Sequence, residues 1–337
     1  MRAAVLEAPQ RLTVQSLPDP APGRDEVLVR VQLCGVCGTD RAIYRDEYPV
    51  QHPITLGHEY AGSVESLGPG VTDLAVGDLV AVDPNVVDDV CYFCRHGVDH
   101  LCSGLRPLGV AQPGGFAELS VVPARYAYRL PEGMRSELGA QVEPVACCVH
   151  GIDRAQITAG DFVAVIGCGP IGCILIQLAR LQGAAMILGV EPNPARRKLA
   201  LSAGADAVCE PGSEGAEASR QRPSALPDVV IEASGNPVAA AGAFSLVRRG
   251  GTVLLFGVYP EGARIEISPF RINEDELRVV GSLNNPHTHQ RAIDLLSSGR
   301  LDLTDLITDV LGLSELERTM DVSNFPNAGK ILIQPEL

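Results

Sequence analysis

The chain has 337 residues, 46% apolar and 20% charged, with 35 Gly and 25 Pro spread along it. That composition excludes wholesale disorder and collagen-like structure and, at roughly 150 residues per domain, leaves room for about two domains. Against 27 basic residues stand 41 acidic ones, a net charge of −14 that repels phosphate backbones and anionic lipid, so neither nucleic acid nor a membrane is an expected partner.

In chain order, Met1 to Gln10 holds one Arg and no long apolar run, so it does not read as a secretory signal, and a cytoplasmic protein is expected. Short β-branched runs punctuated by Gly and Pro follow: Val27 to Leu33, Gly62 to Leu67, Asp78 to Val82 and Ala117 to Val122. From about residue 145 the texture changes. Apolar strands at Phe162 to Ile166 and Met186 to Val190 alternate with helical patterns at Ile171 to Gln182 and Pro194 to Ala203. Further strands are predicted at Asp228 to Ala233, Thr252 to Gly257 and Arg278 to Gly281, and this alternation argues for a parallel sheet. Pro211 to Pro227, rich in Gly, Ser, Pro and Glu, reads as an exposed loop or a poorly formed helix. Phe162 to Ala179 is the one uncharged stretch of membrane-spanning length. Its Gly167, Gly169, Pro170 and Gly172 suit a buried strand, tight turn and helix better.

Gly167-Cys168-Gly169-Pro170-Ile171-Gly172 fits G-x-G-x-x-G between an apolar strand and an amphipathic helix, the context in which that pattern binds a dinucleotide. The first glycine allows the tight turn, the second admits a pyrophosphate, and the third lets helix pack on strand. The helix N-terminus attracts the anion. Glu191 ends the next strand, where a carboxylate accepts ribose hydroxyls and repels a 2′-phosphate. NAD is therefore expected ahead of NADP, although Arg196 and Arg197 offer charge to an extra phosphate.

Ten cysteines without a recognised export signal point to metal, catalysis or burial rather than to disulfides. Cys91-x-x-Cys94 with Cys102 supplies three thiolates, and a closed tetrahedral zinc site needs a fourth donor. Asp88 extends the same three-residue rhythm; Asp89, His96 and His100 are rivals, and three unliganded thiols are the bland alternative. A second, dispersed set comprises Cys37 in Cys34-Gly-Val-Cys37-Gly-Thr39-Asp40, then His58-Glu59, then Glu143-Pro144. Each is a sound zinc ligand type, but spacing alone does not bring them together.

The order of these motifs, with Gly114-Gly-Phe-Ala-Glu118 between the cysteine lobe and Glu143-Pro144, resembles the zinc-dependent medium-chain dehydrogenases, in particular their polyol (sorbitol-like) branch. The resemblance runs from Met1 to Lys330. It implies an α/β fold: a Rossmann doubly wound parallel sheet plus a β-rich GroES-like catalytic domain. The expected domains are 1–146 with a zinc lobe at about 85–105, a coenzyme-binding domain at 147–283, and a returning segment 284–337 that completes the catalytic domain.

The same resemblance assigns Cys37, His58, Glu59 and Glu143 to a catalytic zinc, Thr39 to proton relay, and Asp88, Cys91, Cys94 and Cys102 to a structural zinc. About two zinc ions per chain are thus expected. Gly167, Gly169, Pro170, Ile171, Gly172, Glu191, Arg196 and Lys330 are assigned to the coenzyme. The implied reaction moves a hydride from a secondary alcohol of a polyol or sugar to NAD and leaves a ketone. Rivals are glucose, a phosphorylated polyol or threonine as substrate, or a non-catalytic NAD-binding redox sensor. Asp40, Tyr44, Glu118, Asn284 and Asn285 are candidates for the remaining substrate hydroxyls.

Two departures from the family pattern stand out: Asp88 replaces the first lobe cysteine, and Ala42 stands where relatives often place a histidine after the relay residue. Glu143-Pro144 favours a polyol over threonine, whose dehydrogenases typically carry Asp-Pro there. A homotetramer is expected from the resemblance alone.

Overall fold

The computed structural model describes residues 1–213, 216–217, 220 and 226–337, so most of the stretch read as a loop at Pro211 to Pro227 lies outside the described residues. These residues form two compact units. One comprises Met1–Ala146, Asn284–Arg300 and Ile307–Leu337; the other comprises Cys147–Leu283 and Leu301–Leu306.

The first unit opens with strands β1 (Arg2–Ala8), β2 (Arg11–Ser16), β3 (Glu26–Gly35), β4 (Ile54–Thr55), β5 (Glu59–Leu67), β6 (Leu79–Val82), β7 (Leu119–Pro123) and β8 (Ala127–Arg129). Pairing of β1 with β2 and β4 makes a three-stranded antiparallel sheet. The alanine-rich β1 has weak intrinsic strand preference, and distant partners hold it in place. The Ala4 N–H donates to the Phe116 carbonyl, and Arg2 holds Glu118 through both its backbone N–H (2.8 Å) and its Nε (2.7 Å). Strand β3 is the spine of the larger sheet. It pairs antiparallel with β5 over its length, ending on the pair Gly35 and Glu59, and β7 pairs with it as well. Two segments therefore leave this ladder at one end: Cys37 lies two residues beyond Gly35, and His58 one residue before Glu59.

The second unit carries β9 (Phe162–Ile166), β10 (Met186–Val190), β11 (Ala207–Cys209), β12 (Val229–Glu232), β13 (Thr252–Leu255) and β14 (Arg278–Gly281). All pairings are parallel, in the order β11-β10-β9-β12-β13-β14. This is the doubly wound dinucleotide-binding order, which reverses direction next to β9. Every residue of β9 is buried, as expected of a parallel strand covered on both faces, and each such Val, Ile or Phe contributes about 1.5–3 kcal/mol. The helix Pro170–Gln182 starts with Gly169 as N-cap and Pro170 in its first turn, and stops at left-handed Gly183.

The chain then completes the large sheet of the first unit with β15 (Ile307–Gly312) and β16 (Lys330–Gln334). The latter lies antiparallel to β3 with Leu332 opposite Gly35, and continuing that register sets Lys330 across from Cys37. The returning segment expected as one piece, 284–337, is interrupted. Leu301–Leu306 packs with the second unit, where the Gln177 side-chain amide donates through Nε2 to the Asp302 carbonyl at 2.7 Å and accepts the Asp302 N–H through Oε1 at 2.9 Å. No helix among the described residues is long and apolar enough to cross a membrane.

Candidate functional site

Cys37, half-buried, is the N-cap of the helix Gly38–Tyr44, and its N–H donates to Asp40 Oδ2 at 2.8 Å in a capping-box arrangement. Asp40 is fully buried and reads as part of the scaffold, not as a contact for a substrate hydroxyl. Its other oxygen accepts the Gly57 N–H at 3.3 Å and lies 3.4 Å from His58 Nδ1, a charge contact rather than a well-aligned hydrogen bond. Gly57 turns the chain at φ +92°. A Cβ there would stand 2.7 Å from Cys34 Sγ and 2.8 Å from the Phe116 nitrogen, so only glycine presents His58 in this way.

Donor atoms of Cys37, His58 and Glu59 all lie within 4.8 Å of one another. A thiolate, an imidazole and a carboxylate make a donor set suited to zinc, and three protein donors are the number typical of a catalytic site with an open position. Burial pushes the His58 imidazole toward its neutral form, while Asp40 and Cys37 push it the other way, and the net proton affinity is well above the ordinary value. The negative field that draws a proton here would also draw a dication.

The ammonium of Lys330, a residue assigned to the coenzyme by the resemblance, is buried in an ion pair with Glu59 Oε2. Burial opposes its charge, but Glu59, Cys37 and Glu143 raise its proton affinity.

Glu143, in the first turn of the helix Val142–Ala155 and 9% exposed, does not join the three converging donors. Its Oε1 accepts from Asn285 Nδ2 at 3.1 Å, and Asn285 Oδ1 in turn accepts from Asn85 Nδ2 at 2.8 Å. Asn285, 2% exposed, thus faces Glu143 and Asn85 instead of solvent. Tyr44 donates to Glu317 at 3.0 Å, and Glu118 is held by Arg2. Four of the five groups expected to meet substrate hydroxyls are therefore engaged within the fold; Asn284 is the fifth, at φ +54°. Sequence reasoning missed Asn85 altogether. The acid three residues after the Cys37 cap could have flagged Asp40 as a capping residue.

Asp88, Cys91, Cys94 and Cys102 form a second group, with all four donor atoms within 4.8 Å of one another. Four donors match a closed structural site. Asp88 Oδ1 accepts the N–H groups of Cys91 (3.0 Å) and Val90 (2.9 Å), which hold its carboxyl down at about 2. Two of the three rivals are engaged elsewhere: Asp89 pairs with Arg125 at 2.6 Å, and His96 Nδ1 contacts the Tyr92 carbonyl at 2.7 Å. The backbone N–H of Cys94 helps push the Cys91 thiol down to about 7, so a thiolate forms readily there. All ten cysteines are free thiols.

In the second unit, Gly167 turns at φ +90°, and a Cβ on Gly172 would stand 1.9 Å from the Gly167 carbonyl oxygen. Helix and strand approach too closely there for any side chain. A Cβ on Gly169 would meet nothing within 4 Å, leaving open the face that a pyrophosphate approaches. Glu191 is 4% exposed, with Oε2 accepting the Cys168 N–H at 2.9 Å and Oε1 the Asn193 N–H at 2.9 Å. Its carboxylate is thereby held against the glycine turn. Arg197 donates to the Glu191 and Pro192 carbonyls and to Glu210. Arg196 keeps a buried Nε with no hydrogen-bond partner among the described residues.

Comparison with known proteins agrees with this geometry. Residues 23–132 match the family model of the alcohol dehydrogenase GroES-like domain, and residues 170–298 that of the zinc-binding dehydrogenases. The chain is 33% identical over 341 residues to D-arabinitol dehydrogenase 1 of Uromyces fabae, covering 99% of this chain and 97% of that one. Similar identity, 33%, is found with a sorbitol dehydrogenase of Halalkalibacterium halodurans (96% and 95% covered) and with an L-threonine 3-dehydrogenase of Thermococcus kodakarensis (94% and 92%). Among solved structures, one assigned as a zinc-binding dehydrogenase from Sinorhizobium meliloti 1021 and bound to NADP superposes with a TM-score of 0.94 at 38% identity, covering 99% of each chain.

Proposed function

The chain belongs to the zinc-dependent medium-chain dehydrogenases, and from that membership we propose that it oxidises a secondary alcohol of a polyol or sugar to a ketone, passing the hydride to NAD. The observation that carries this reading is the convergence of Cys37, His58 and Glu59. Similarity to arabinitol and sorbitol dehydrogenases supplies the substrate class.

In this reading Cys37 and His58 hold the catalytic zinc with the carboxylates Glu59 and Glu143, one of which exchanges during turnover so that a position opens for substrate, and Asp88, Cys91, Cys94 and Cys102 hold a structural one. Zinc, when bound, supplies Lewis acidity worth several kcal/mol of charge stabilisation on a substrate oxygen. Asp40, facing His58 Nδ1, would leave Nε2 as the nitrogen that ligates the ion, and Lys330 pairs with the Glu59 carboxylate. Thr39, half-buried in the first turn after Cys37, would relay the proton of the substrate hydroxyl, its oxygen accepting that proton while its own O–H gives one up toward the coenzyme ribose. With Ala42 at the next turn, no histidine in that helix carries the proton onward.

The glycine turn Gly167, Gly169 and Gly172, with Pro170 and Ile171 at the helix start, receives the pyrophosphate; Glu191 receives the adenosine ribose, with Arg196 beside it. Residues 1–146 with the returning segment thus carry the chemistry, and 147–283 the coenzyme. A homotetramer in the cytoplasm completes the proposal. The half-exposed edge strand β14 offers a surface for subunit pairing, and the free thiols suit a reducing compartment.

A second reading, oxidation of an amino alcohol, is favoured by the equal similarity to a threonine dehydrogenase. Initial rates with NAD and NADP against polyols, sugars, phosphorylated polyols and threonine separate the two. Cys37→Ala abolishes oxidation of whichever alcohol is turned over while coenzyme binding persists, and Thr39→Val slows it by about 10²- to 10⁴-fold. Retained turnover in Cys37→Ala would refute the zinc assignment.

A further inference from the structure

Asn285 lies 142 residues from Glu143 in sequence, yet its side-chain amide donates to the Glu143 carboxylate at 3.1 Å. The amide itself is held from behind. Its oxygen accepts from Asn85 Nδ2 at 2.8 Å, and the same Asn85 nitrogen donates to Asp83 Oδ1 at 3.2 Å. Asp83 Oδ1 also accepts the Asn85 backbone N–H at 3.0 Å, which locks that turn immediately after β6. On its other side Asp83 Oδ2 faces His289 Nδ1 at 3.4 Å, and the His289 ring is stacked on Tyr128.

The orientation of each amide follows from its neighbours. Asn85 Nδ2 spends both hydrogens on oxygens, Asp83 Oδ1 and Asn285 Oδ1, so Asn285 must present its oxygen to Asn85 and its NH₂ to Glu143. A flipped Asn285 would set oxygen against oxygen at Glu143 and nitrogen against nitrogen at Asn85. Asn285 is 2% and Asp83 8% exposed, so water does not readily replace these contacts.

We propose that Asn285 is a positioning residue for Glu143: the relay Asp83, Asn85, Asn285 clamps one carboxylate oxygen and thereby sets how firmly Glu143 contributes to holding the catalytic zinc. This rests on Glu143 being a ligand of that ion. Hydrogen bonds to a ligating carboxylate orient it and typically govern 10- to 100-fold in metal affinity. The relay also gives a reason for asparagine at 285, since aspartate of the same shape would place a second negative charge against Glu143.

The test loads the full chain with cadmium-113 in place of zinc and follows metal release to a chelator by NMR, whose separate signals distinguish the one-sulfur site from the three-sulfur lobe. The expected result is 10- to 100-fold faster release from the one-sulfur site in Asn285→Asp and Asn285→Ala, with unchanged release from the lobe and a near-native melting temperature. Glu143→Gln is the control for the underlying reading. Faster release in Glu143→Gln with native release in both Asn285 variants overturns the relay and leaves Glu143 as a ligand. Native release in Glu143→Gln overturns the ligand reading and the relay with it. Should the Asn285 variants fail to fold, Asn85→Ala decides: faster release from the one-sulfur site supports the clamp, and native release rejects it.

Discussion

The carboxylate of Asp40 faces His58 Nδ1 at 3.4 Å and caps the Cys37 N–H at 2.8 Å, so one fully buried side chain orients two of the three converging donors. Removing its charge while keeping its shape, as in Asp40→Asn, should weaken zinc retention about 10- to 100-fold. Asp40→Ala also strips the acceptor from the Cys37 and Gly57 N–H groups, adding about 1–3 kcal/mol of destabilisation for each one left unsatisfied. Chelator competition and thermal melts read the two effects separately. Wild-type zinc retention in Asp40→Asn would show that the carboxylate does not orient the ligands.

Glu191 holds the N–H groups of Cys168 and Asn193 with its two oxygens. Glu191→Ser should raise the ratio of NADP to NAD turnover, because the negative charge that repels a 2′-phosphate is gone. A lower melting temperature should accompany it, since serine is too short to reach both donors. An unaltered coenzyme ratio would mean that Glu191 supports the turn without facing the ribose.

Asp88 brings a harder donor to a lobe otherwise made of thiolates. Asp88→Cys should slow zinc loss from the three-sulfur lobe to a competing chelator, at the expense of the strong hydrogen bonds to Val90 and Cys91. Faster loss in the variant would indicate that those two N–H contacts, which shape the turn, matter more than donor softness.

His289 is fully buried against Asp83 and Tyr128. Burial lowers its proton affinity below the ordinary value even though Asp83 opposes the shift. The unfolded chain therefore takes up a proton near pH 6.5 that the folded chain refuses, and stability contributed here is present above that pH and lost as pH falls. Replacing the ring by His289→Phe should flatten the pH dependence of unfolding between about pH 7.5 and 5.5, by up to about 1.4 kcal/mol per pH unit. Parallel curves for wild type and variant would contradict a neutral buried imidazole.

Local chemistry was plain from the residue order. The glycine fingerprint is a contiguous strand, turn and helix whose apolar period and missing side chains follow from backbone geometry within a few residues, and the structure builds it at Phe162–Ile166 and Pro170–Gln182. The spacing of Cys91, Cys94 and Asp88 was legible for the same reason, because one short turn brings them together. Strand β1 was not, since its alanines carry little strand preference and part of what holds it, the Phe116 carbonyl and the Glu118 carboxylate, lies more than a hundred residues away.

What residue order alone supplied, then, was the inventory of donors and the type of each element, both consequences of short-range sterics and periodicity. Which donors meet was decided by pairing between distant strands. The register that sets Gly35 against Glu59 brings Cys37 to His58, and that of Leu332 against Gly35 delivers Lys330 to Glu59 across 271 residues. Likewise Asp40 and Asn285, read as substrate contacts from their polarity, were claimed by the scaffold because a buried carboxylate or amide must find its hydrogen-bond partners wherever the fold supplies them.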